Sequence, residues 1–120
     1  MVTAYLKWKF ITDKMYAGNL RPEEAMNKLI SLLSENNIKV RGNGNKLETI
    51  SYWVYDKEDW IMKDEKPLGL GLIYEKPDST KTQDIFIANP SGNIEKYYSE
   101  EDLVKKYPSM KGVHKSNLPI

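Results

Sequence analysis

The side chains here that could do chemistry are carboxylates, amines and phenols. The chain has no cysteine, and His114 is its one histidine. Thiolate nucleophiles, thiolate-bound zinc and iron–sulfur clusters are therefore excluded, and a metal or triad site built on paired histidines has no second member. His114 stands between Val113 and Lys115, in a segment expected to be a solvated tail.

The densest acidic stretch is Asp56, Glu58, Asp59, Asp64 and Glu65. Converging oxygens of this kind suit a divalent ion. A calcium loop starting at Asp56 fails, because its sixth position is Ile61 and its twelfth is Pro67. Asp56 with Asp64, Glu65 and Lys66 matches the short acid-then-acid-x-lysine pattern of metal-dependent nucleases. A solvated loop with nearby lysines explains the same residues, so the expected metal set is none. Glu75, Asp84 and Glu95 could serve as an acid–base pair only if two of them faced each other across a cleft. No catalytic residue is assigned, and the chain is expected not to be an enzyme.

Two glycine pairs imitate nucleotide motifs. Gly69 and Gly71 begin a dinucleotide-type fingerprint, but Tyr74 takes the third glycine position and no helical pattern follows. Gly42 and Gly44 lack the Gly-Lys-Ser/Thr ending of a phosphate loop and suit a hairpin turn. The strand glycines fit a bend, or close packing against a large aromatic. No cofactor is expected.

What stands out is the aromatic content, eight tyrosines, three tryptophans and two phenylalanines in 120 residues. In the segment Lys46 to Tyr55, alternation puts Ile50, Tyr52 and Val54 on one face and Thr49, Ser51, Trp53 and Tyr55 on the other, with Trp60 soon after. Large rings between hydroxyls make a contact surface at low entropy cost. Thr49, Ser51, Trp53, Tyr55 and Trp60 are thus the candidate partner-binding residues. The competing explanation is that both sheet faces are covered and every ring is core.

The elements positioning these residues are legible in part. Val2, Ala4, Leu6, Trp8 and Phe10 alternate with polar residues and predict a first strand. Ala25, Met26, Leu29, Ile30, Leu32 and Leu33 recur at helical spacing and predict the main helix over about 22–36, with Pro22 at its first position. Short strands are expected at 38–41, 46–55, 68–74, 84–88 and 93–98, with 60–62 as a further short segment that pairs back. Ser99 opens a short helix over about 100–107. The fold class is α+β, a mainly antiparallel sheet of five to seven strands with the main helix on one face. Residues 1–110 form one domain and 111–120 a C-terminal tail.

Composition narrows the partners. Eighteen basic residues against seventeen acidic ones give a net charge of +1, so no long-range field favours a polyanion. Arg21 and Arg41 are the only arginines, which argues against sequence-specific DNA recognition. The opening Met1 to Lys9 has no leader-like apolar run, and with no cysteine the expected location is cytoplasmic. The lysine and asparagine bias fits an AT-rich genome, as in low-GC bacteria and their phages. The resulting expectation is a non-enzymatic binding protein of inhibitor or immunity type that occludes another bacterial protein, itself able to form a homodimer. The alternatives are a small-ligand or nucleotide-binding protein, and a metal-dependent nuclease or hydrolase.

Overall fold

The structure, a computed structural model, describes residues 3–40, 45–54, 68–88, 94–108 and 114–119. It opens with a helix, α1 (Ala4–Tyr16), where alternation predicted a strand. A second periodicity wins. Tyr5, Trp8 and Thr12 lie one turn apart and are buried, with Ile11 and Met15 packed beside them. Leu6 and Phe10, the inward residues of the expected strand, are instead 51% and 60% exposed. Thr3 fixes the start, its hydroxyl accepting from Leu6 N at 3.2 Å. Gly18 fixes the end. Its φ of 80° lets Asn19 N reach Lys14 O at 2.9 Å and Gly18 N reach Met15 O at 3.1 Å, the paired bonds of a left-handed helix stop.

The chain turns directly into α2 (Pro22–Glu35), close to the expected boundaries. Asn37, with φ of 62°, repeats the same stop: Asn37 N bonds Ser34 O and Ile38 N bonds Leu33 O, both at 3.0 Å. That brings Ile38 and Val40 against the core as loop residues, so no strand forms at 38–40 and the expected hairpin there is absent from the described residues.

Four strands then form an antiparallel meander: β1 (Lys46–Val54), β2 (Leu68–Glu75), β3 (Lys81–Ala88) and β4 (Ile94–Tyr97). A last strand, β5 (His114–Pro119), pairs antiparallel with the other edge of β1, giving the order β4-β3-β2-β1-β5. Residues 114–119, expected within the tail, are therefore part of the sheet. The class is α+β and antiparallel, as the patterning predicts. The strand set differs, because the amino-terminal segment is helical, and residues 60–62 lie outside the described residues.

A register shift between Leu47 and Thr49 bulges β1, and it keeps Leu47 on the buried side with Ile50. Leu47, Ile50, Leu70, Leu72, Tyr74 and Phe86 make this face of the sheet, and the α1–α2 pair covers it through Trp8, Met26, Leu29 and Leu33. The opposite face is covered under β3 by the third helix, α3 (Glu100–Lys106), whose Leu103 packs on Ile85 and Ile87 with Tyr97 and Tyr107 alongside. Ser99 caps α3, accepting from Asp102 N at 3.2 Å, as its spacing predicts.

Candidate functional site

The five residues singled out in the sequence do not form one described surface. Tyr55 and Trp60 lie outside the described residues, and Trp53 is placed only by its backbone pairing with Lys115. Thr49 is half-buried between Ile73 and Pro119 on the neighbouring strands. Ser51 is buried, 3% exposed, and its hydroxyl donates to Asn117 Oδ1 at 2.7 Å. On its other side lies Gly71, where a Cβ would stand 3.4 Å from the Ser51 Cβ. The glycine thus packs beside a serine. Ser51 serves the joint between β1 and β5 rather than an outer contact.

The carboxylates weighed for catalysis are each held by a different neighbour. Glu75 pairs with Lys81 at 3.3 Å, and Lys81 also binds Glu48. A hydrogen bond shared with Glu75, then the Lys81 ammonium, holds the Glu48 carboxyl below its ordinary range. Asp84 pairs with Lys96 at 3.7 Å. Glu95 accepts from Tyr97 Oη at 2.8 Å and from Tyr107 Oη, tying β4 to the end of α3. Desolvation, then the hydrogen bond to the Glu95 carboxylate, pushes the Tyr97 phenol up to about 12. No cluster of three or more metal-ligating side chains occurs among the described residues. The Asp56, Asp64 and Lys66 set lies outside them.

The space between helices and sheet is filled by Trp8, Met26, Leu29, Leu33 and Tyr74, each at most 2% exposed. A recess lies on the outer side of the helical pair instead. A groove of about 830 Å³ runs between α1 and α2, with Ile11, Leu20 and Leu32 in its apolar lining and Leu6 and Phe10 on its α1 wall. Leu6 and Phe10 are two of the three large exposed apolar residues of the described structure, Tyr98 being the third. Four charged side chains edge it. Lys14 Nζ stands 4.6 Å from the Phe10 ring centre, and Lys7 Nζ lies 3.9 Å from Glu35 Oε2. Lys28, exposed on α2, has no ion pair among the described residues.

An α-helix that buries Trp8 cannot also bury Phe10, two residues and about 200° further round. The sequence reading missed Leu6 and Phe10 for that reason. The signal was present in Thr3 as a cap, Gly18 as a stop and the Tyr5–Trp8–Thr12 spacing. Chemically the groove can exclude water from an apolar partner and hold anionic groups at its edge. No described helix is long and apolar enough to cross a membrane. No family model, curated protein or solved structure matches this chain.

Proposed function

We propose that this chain is a non-enzymatic binding protein that engages another protein through the groove between α1 and α2. The observation that carries the reading is the exposure of Leu6 and Phe10, 51% and 60%, on the wall of a groove lined by further apolar residues. An isolated exposed leucine is ordinary on a protein surface, whereas two large side chains one helical turn apart beside a recess form a patch that gains free energy when covered. Occlusion of a bacterial protein in the cytoplasm, as an inhibitor or immunity-type partner, is the biological role this reading takes from the sequence. The binding surface moves from the β1 stripe to the helices.

The test is a comparison of tagged wild-type chain with Leu6→Asp and Phe10→Asp, each checked for helical circular dichroism, in capture from the native host. The captured protein is then purified and its affinity measured directly. The expected result is loss of at least about tenfold in affinity, the scale of an interface hot spot. Unchanged affinity in both variants, with loss in Trp53→Ala or Tyr55→Ala, would return the site to β1.

A further inference from the structure

We infer that the groove between α1 and α2 receives an amphipathic helix of another protein whose flanks carry aspartate or glutamate, an inference that rests on the protein-binding reading above. The shape argues for a helix. Leu6 and Phe10 stand at i and i+4 on α1, about 5–6 Å apart, the interval at which an incoming helix repeats its own apolar side chains. Their partners across the recess come from a second helix and the turn, through Leu32 and Leu20. Two helices side by side leave a furrow into which the side-chain ridge of a third can pack.

Charge selects the flanks. Among the described residues, Lys7, Lys14 and Lys28 edge the groove against one carboxylate, that of Glu35, although the whole chain has eighteen basic and seventeen acidic residues. Lys7 shares Glu35 at 3.9 Å, while Lys14 sits over the Phe10 ring and Lys28 carries no ion pair among the described residues. Among the described residues, therefore, two ammonium groups border the apolar strip without a carboxylate of their own. Acidic side chains on either flank of a seated helix would complete them.

The same charges disfavour the other occupants. A second copy laid groove to groove would set lysine rows against lysine rows. A single-stranded nucleic acid would meet the ammonium groups but would leave Leu6 and Phe10 without an apolar ladder, and no arginine lines the groove among the described residues. An anionic membrane offers a flat surface to a concave site and would meet Glu35.

The test uses the full chain, labelled with nitrogen-15, and four probes. The first is a peptide of about five helical turns, with leucines along one face and glutamates on both flanks. The others are its lysine-flanked twin, a scrambled glutamate peptide and phosphatidylglycerol vesicles. The expected result is amide shifts confined to α1, α2 and the turn between them, with the glutamate peptide binding at least about tenfold tighter than the lysine twin and weakening as salt rises. The exposed double variant Lys14→Glu with Lys28→Glu should reverse that preference while keeping its circular dichroism. Equal or tighter binding of the lysine twin overturns the acidic-helix inference and leaves the groove as an apolar docking site. Binding to vesicles, or equal binding of the scrambled peptide, overturns it in favour of lipid or of unspecific charge. If neither helical peptide moves the groove amides, the inference falls. The protein-binding reading falls with it only when Phe10→Asp also leaves the affinity for the captured partner unchanged.

Discussion

Trp8→Ala and Phe10→Ala should differ several-fold in their cost to stability, because the first segment is a helix that buries one ring and exposes the other. Trp8 is 1% exposed among Met26, Leu29, Leu33 and their neighbours, and truncating a buried aromatic costs about 3–5 kcal/mol. Phe10 is 60% exposed. Roughly two-fifths of a full phenylalanine burial is about 1 kcal/mol, and the exposed contact with Lys14 adds about 0.5 kcal/mol. The better helix propensity of alanine returns about 0.5 kcal/mol. The net cost at Phe10 is thus about 1 kcal/mol. With a urea dependence of about 1.5 kcal/mol per molar, Trp8→Ala should lower the unfolding midpoint by about 2–3 M and Phe10→Ala by less than about 1 M. Circular dichroism is the suitable probe, since Trp8 is one of only three tryptophan fluorophores. In the alternating strand the two rings share a face. Equal losses from the two variants would therefore refute the helix and, with it, the exposure on which the groove depends.

Two further perturbations test the local devices of the fold. Thr3→Ala removes the oxygen that accepts from Leu6 N and should cost about 1 kcal/mol in urea unfolding, while Thr3→Ser should keep most of it. Tyr97 gives a pH dependence whose sign follows from its neighbours. Its pKa rises from 10.0 to about 12 in the folded chain, so between those values the folded state keeps a proton that the unfolded state has lost. Its contribution to stability is complete below pH 10 and declines towards pH 12. Comparison with Tyr97→Phe across that window should isolate the decline, and Glu95→Gln should lower the phenol pKa read by ultraviolet titration.

Much of the fold was legible because several local signals agreed. In α2 the helical spacing of Ala25, Met26, Leu29 and Leu33 coincided with Pro22 at the start and Asn36-Asn37 at the end. Ser99 similarly marked α3. At the amino terminus the signals conflicted. Period two and a helical spacing both run through Trp8, and packing against α2 decides between them. Gly18 reads equally as a turn after a strand or a stop after a helix. The final strand was hidden for a different reason: His114–Pro119 has little apolar pattern of its own and is ordered by the free edge of β1. Ser51 illustrates the limit of alternation for function. Period two places it opposite Ile50, but only the β5 pairing reveals that its hydroxyl is taken up by Asn117 on the neighbouring strand. The candidate groove was illegible because Leu6 and Phe10, on its α1 wall, fall on the inward face when read with period two.

The most direct test of the binding site replaces Phe10, Tyr98 or Trp53, one at a time, with a photo-crosslinking amino acid in the full chain expressed in its native host. Irradiation should give a discrete adduct with another protein from position 10 and none from position 98 or 53. An adduct from position 53 with none from position 10 would contradict the groove and place the interface on the sheet.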